Sequence, residues 1–169
     1  LEPDLQKARE LHRNGHLNEA IKIYNDFLMD NPHDPDAHHL LGVAMLQQGE
    51  LPRAEQEIRL ALTHRKDDPN YFNNLANVLL ARDQPEKALD TFTSALNLNP
   101  KHIESLTGAG NLLFTLGRLE EAENLFRKIV DIDPHHYEAL NNLGVILARM
   151  NRPSEAVTLF RTAIRDANA

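Results

Sequence analysis

The chain repeats itself every 34 residues, and that period leaves few folds open to it. Ala20, Ala54, Ala88, Ala122 and Ala156 lie one period apart, and four residues beyond them stand Tyr24, Ile58, Phe92, Phe126 and Phe160. Twelve residues before each alanine a small residue recurs, as Ala8, Gly42, Ala76, Gly110 and Gly144. One residue earlier still are Lys7, Leu41, Leu75, Ala109 and Leu143. No insertion or deletion breaks the register across the five units. A small residue at each of two facing positions lets two helices approach closely, where a larger one would overpack at about 1–3 kcal/mol. The aromatic and branched residues then fill the space between units, each burial contributing about 1.5–3 kcal/mol.

Punctuation follows the same period. Gly15, Gly49, Asp83, Gly117 and Asn151 occupy one turn position, and all three residue types tolerate the left-handed conformation that ends a helix. Pro85 and Pro153 follow two residues later, where a helix starts without needing that N–H. Pro32, Pro100 and Pro134 separate successive units, with Lys66 in the corresponding place of the second. The pattern predicts helices over 4–14, 18–29, 36–48, 52–64, 71–82, 85–98, 102–116, 120–132, 136–150 and 153–166, and no strands. The units run over about 1–34, 35–68, 69–102, 103–136 and 137–169, as one elongated domain without a linker. Aromatic residues make up only 5% of the chain, which suits a thin stack whose units touch only their neighbours.

Charge and composition narrow the function. The net charge of −7 disfavours general nucleic-acid binding, which relies on a basic footprint. With no cysteine there is no disulfide framework and no thiol chemistry, which fits a reducing compartment such as the cytoplasm. No apolar run approaches the roughly 20 residues that span a membrane, so membrane insertion is not expected. No signal-peptide pattern is visible, and the first residue is Leu1 rather than Met, which points to an excised or processed start.

The segments LLGVAM at 40–45, NLANVLL at 74–80 and NLGVIL at 142–147, each followed by an alanine-centred second helix, resemble the tetratricopeptide repeat. The resemblance covers essentially all 169 residues, although Phe72, Leu106 and Leu140 stand where the family often has Trp, and Lys7 marks the first unit as the most divergent. It implies an all-α, right-handed superhelical α-solenoid of five helix-turn-helix units. It also implies that first helices line a concave wall while second helices form the convex back. The wall would then carry Arg9, Arg13, His39, Asn70, Asn73, Asn74, Asn77, Asn111, Asn141, Asn142 and Arg149. Asparagine is a poor helix former, yet an amide offers both donor and acceptor and can satisfy the backbone of an extended peptide. Structural bonding between adjacent repeats would also explain Asn74 and Asn142, and both readings stand.

Other chemistry finds no footing. The histidine pairs His38–His39 and His135–His136 are neighbours that do not converge on one ion, and no HExxH occurs, so no metal is expected. His33, His102, His135 and His136 fall at inter-unit turns and read as solvated. Gly108-Ala109-Gly110 lacks both the third glycine and the preceding strand of a dinucleotide loop. None of Ser94, Ser105 and Ser154 sits in a nucleophile elbow, and no inward-facing acid pair is visible. The expectation is a non-catalytic scaffold, without cofactor, for a protein or peptide partner. Leu5, Arg9 and Leu40 occupy slots where a chaperone-tail clamp of this family wants Lys or Asn, so that mode is not expected. The asparagine-rich wall loosely resembles repeats attached to sugar-transferring enzymes, which makes a substrate-presenting module of a larger transferase the alternative. A third is self-assembly: Val157, Leu159, Phe160, Ala163 and Ile164 cannot all face inward, so either a following segment of a longer chain covers this face or self-association through this uncapped end does.

Overall fold

The computed structural model describes residues 2–167, and within them the chain is all helix. The helices are α1 (Glu2–Arg13), α2 (Leu17–Asp30), α3 (Pro35–Gln48), α4 (Leu51–His64), α5 (Pro69–Ala81), α6 (Pro85–Leu98), α7 (Ile103–Thr115), α8 (Leu119–Ile132), α9 (Tyr137–Arg149) and α10 (Pro153–Ala167). They fall into two compact units, one ending at Thr91 and one beginning at Phe92 within α6. In the first, α1 packs on α2, α2 on α3, α3 on α4 and α4 on α5, and α3 also touches α1 and α5. In the second, α7 packs on α8, α8 on α9 and α9 on α10.

One turn is built five times. Gly15, Gly49 and Gly117 take φ of 82°, 81° and 76°, and Asp83 and Asn151 take 58° and 60°, all in the left-handed region. The N–H of each donates back to the carbonyl three residues earlier, and the following N–H donates to the carbonyl five residues earlier. Examples are Gly117 to Phe114 at 3.1 Å and Arg118 to Leu113 at 2.9 Å. This double bond pattern satisfies carbonyls that a helix end would otherwise leave open, and it fixes the angle at which the second helix departs.

The start of α3, α5, α7 and α9 is capped at one periodic position, by Asp34, Asp68, His102 and His136. Asp34 Oδ1 accepts from Ala37 N–H at 2.8 Å, and His136 Nδ1 from Ala139 N–H at 3.2 Å. This corrects the sequence reading of His102 and His136 as solvated turn residues. His102 is buried at 8% exposure and His136 is half-buried, because a cap's side chain folds back over the first turn. It also moves the two helix starts one residue later than predicted. The α5 start moves two residues earlier, because Asp68 caps it and Pro69 takes its first position.

The periodic alanines form the axis of the core. Ala20, Ala54, Ala88 and Ala122 are fully buried and Ala156 nearly so, and Tyr24, Ile58, Phe92 and Phe126 are fully buried beside them. Phe160, at the corresponding place in α10, is half-buried, while Val157 is 46% exposed. Lys7 is exposed where its periodic equivalents Leu41, Leu75, Ala109 and Leu143 are buried.

Candidate functional site

In the first unit α1 and α3 border a cleft of about 380 Å³ lined by Arg9, His12, Arg13, Tyr24, Leu40 and Gln47. Arg9 and Arg13 stand one helical turn apart and both are exposed. At the floor His12 Nδ1 lies 3.3 Å from the Tyr24 hydroxyl, and burial lowers the His12 pKa against a raising contact from Gln47. Burial likewise pushes the Tyr24 phenol up to about 12, so the hydroxyl keeps its proton.

Next along the same unit, His39 stacks on Tyr71 with ring centroids 4.4 Å apart, and Asn74 Nδ2 donates to His39 Nε2 at 2.8 Å. An amide nitrogen only donates, so His39 Nε2 is the unprotonated acceptor. Burial holds the His39 pKa down to about 4, while the carboxylates of Asp68 and Asp36 pull the other way. The Tyr71 hydroxyl donates to Asp36 Oδ1 at 2.6 Å, and Arg65 spans both Asp36 oxygens at 2.8 and 3.2 Å. Burial works to raise the Asp36 pKa, but those two donors outweigh it and leave the carboxyl below its usual value.

In the second unit Asn142 Nδ2 donates to Asn111 Oδ1 at 3.3 Å, joining α7 to α9. The two amides rim a recess of about 90 Å³ whose walls are Phe114, Phe126, Val145 and Ile146. Arg149 lies with its guanidinium 4.5 Å from the centroid of the Phe114 ring, a cation–π contact.

The first-helix residues singled out from sequence therefore divide. Arg9 pairs spatially with Arg13, His39 bonds Asn74, and Asn111 bonds Asn142 beside Arg149. Asn70 is exposed and its Nδ2 bonds Asp68 at 2.9 Å; Asn77 and Asn141 are half-buried. Asn73 is a correction: only 8% of it is exposed, so it has little surface to offer a ligand. A helix turns about 100° per residue, which carries Asn73 off the open arc of Asn70, Asn74 and Asn77 toward the buried Ala76.

Sequence reasoning missed one polar cluster. Glu123, at 9% exposure, accepts from Arg127 at 2.8 Å and from Arg152 at 2.9 and 2.8 Å, and Arg152 also grips Glu155. Burial would raise the Glu123 pKa, but the two arginines outweigh it and lower it. The recurrence of Glu55–Arg59 as Glu123–Arg127 was the available signal: both are ion-paired one turn apart. Among the described residues no group of three His, Asp or Glu is placed to hold a metal ion, and no helix is long and apolar enough to cross a membrane.

The helix pairs, the repeated turn and the small-to-large packing define an all-α repeat solenoid, and the chain belongs to the tetratricopeptide repeat family, whose models match residues 11–78 and 113–169, and 67–135. It is 32% identical over 102 residues to the BBSome complex member BBS4 of Xenopus tropicalis, 60% of this chain but 20% of that protein. It is also 32% identical over 84 residues to human tetratricopeptide repeat protein 7A, 50% of this chain and 10% of that one. The chain thus spans a minor part of the curated relatives it matches. Among solved structures, MamA superposes with a TM-score of 0.84 at 19% identity, covering 95% of this chain and 94% of MamA. Pseudomonas aeruginosa pilF gives 0.89 at 18%, covering 98% and 75%. YrrB, described as a TPR protein with an unusual peptide-binding site, gives 0.73 at 26%, covering 97% and 84%. The fold supports a protein-interaction scaffold.

Proposed function

We propose that the first helices of these repeats bind an extended segment of a partner protein, without catalysis. The observation that carries this is the Asn111–Asn142 amide pair set over the apolar recess of Phe114, Phe126, Val145 and Ile146. A peptide in extended form points its N–H and C=O groups along its edges and its side chains roughly perpendicular to them, on alternate faces. Amide rims satisfy the first and the recess receives the second. The recess is about 90 Å³, room for an aliphatic side chain and not for a cofactor. The description of YrrB as having a peptide-binding site supports the same reading. The test is selection of binders from a displayed library of random peptides, followed by Asn111→Ala with Asn142→Ala. Selected peptides should weaken by about tenfold, roughly the loss of one hydrogen bond between partners at a desolvated site. Unchanged affinity would remove the amide pair from the interface.

A second reading, association through α10, draws on Val157 at 46% exposure beside a half-buried Leu159. Sedimentation of the chain with and without Val157→Ser separates it: a monomer at high concentration in both would end it.

A further inference from the structure

The first unit holds two imidazoles that the fold leaves without a polar partner. Its other histidines are engaged. His12 faces the Tyr24 hydroxyl at 3.3 Å, and His16 lies 3.6 Å from a Glu19 carboxylate oxygen. His38 is fixed between Glu57 Oε2 at 2.7 Å and the Pro32 carbonyl at 3.0 Å, and His39 accepts from Asn74 at 2.8 Å. His33 and His64 are exposed, and among the described residues neither ring makes a hydrogen bond or an ion pair. Yet they meet: their ring centroids lie 4.9 Å apart, with the planes tilted by 45°. His33 sits in the turn between α2 and α3, and His64 is the last residue of α4, so the fold rather than any sequence spacing brings them together.

That separation suits a shared ion. A Zn–N bond of about 2.0–2.1 Å puts an imidazole centroid about 3 Å from the metal, so two rings at a tetrahedral angle stand about 5 Å apart. The χ2 torsion of histidine is broad, so two solvent-facing rings can each turn one nitrogen toward the same point. His38 lies nearly parallel to His64, with centroids 6.4 Å apart at 17°. Both its nitrogens are taken, so it walls the pair without ligating. The Glu57 carboxylate behind His38 and the C-terminal carbonyls of α4 favour positive charge at this end of the helix.

We propose that His33 and His64 form a binding site for a divalent transition-metal ion of the nitrogen-preferring class, Zn2+ foremost, each giving one imidazole nitrogen while solvent fills the remaining positions. Among the described residues no group of three His, Asp or Glu is placed to hold an ion, so the coordination sphere is open and two protein ligands set the affinity. Imidazole suits Zn2+, Cu2+ and Ni2+, whereas Mg2+ and Ca2+ take oxygen ligands. The bound ion ties the end of α4 to the turn ahead of α3 and thereby stabilises the second repeat. The site is independent of the peptide-binding reading, which concerns the amides of α7 and α9.

The test is calorimetric titration of the untagged full chain with zinc chloride at neutral pH, in a buffer that does not ligate metal. One ion should bind per chain, and magnesium chloride should not bind. In the isotopically labelled chain zinc should shift the ring signals of His33 and His64 ahead of those of the other histidines. His33→Gln and His64→Gln should each weaken binding at least about tenfold. His16→Gln with His135→Gln, two exposed histidines elsewhere, should leave it unchanged. Zinc should raise the thermal midpoint of the parent chain and not that of the His33→Gln with His64→Gln variant. Without metal that variant should unfold with the parent, because both side chains are exposed. No saturable binding, equal loss in the His16/His135 variant, or sedimentation showing one ion shared by two chains would each overturn the site. None of these touches the Asn111–Asn142 result, so the two readings fail separately.

Discussion

A methyl group at residue 110 has nowhere to go. A Cβ built there would stand 2.7 Å from Cε2 of Phe126, a ring that is itself fully buried. Gly110→Ala should therefore cost about 1–3 kcal/mol, read as a lower urea midpoint with an unchanged slope. His39 supplies a second residue-scale test. In the unfolded chain it titrates near 6.5 and in the folded protein near about 4, so between those values the unfolded state binds the extra proton. Stability should then be full above pH 6.5 and fall as pH drops toward about 4. Protonation there also turns the acceptor facing Asn74 into a donor. His39→Asn should flatten that part of the pH–stability curve relative to the parent chain. Sequence alone placed the packing glycine, because a 34-residue period marks every member of a small-to-large pair. It did not reveal the lowered pKa of half-buried His39, because its ring stacks on Tyr71, which lies on the first helix of the next repeat. Nor did it place Asn73, one helical step from the open face.

At the scale of elements, the turns and caps decide where each helix begins and ends. The five left-handed positions follow from residue type, since only Gly, Asn and Asp occupy them and φ is positive at each. Two caps did not follow, because an imidazole replaces the more usual carboxylate or hydroxyl at His102 and His136. His136→Ala should cost about 0.5–2 kcal/mol while His136→Asp should not, measured by chemical denaturation at neutral pH. Exchange of the α9 amides against solvent should rise first in the alanine variant, because the cap serves the first turn of that helix. The Glu123–Arg127–Arg152 cluster ties α8 to the turn before α10, and its partly exposed arginines count for less than the buried carboxylate they satisfy.

Over the whole molecule the family assignment settles the fold and leaves the partner to chemistry. The matched relatives share 60% and 50% of this chain but are far longer, and a fold reused for many partners names none of them. What this chain contributes is a set of first-helix faces with specific equipment. They hold the Arg9–Arg13 cleft and the His39–Asn74 pair in one unit, and the Asn111–Asn142 amides beside Arg149 in the other. The most direct test of that division of labour is a hydrogen–deuterium exchange footprint of the full chain with and without a peptide selected from a random library. The account predicts slowed exchange in α7 and α9, with α8 and α10 unchanged at their outer faces. Protection confined to α8 and α10 would contradict it.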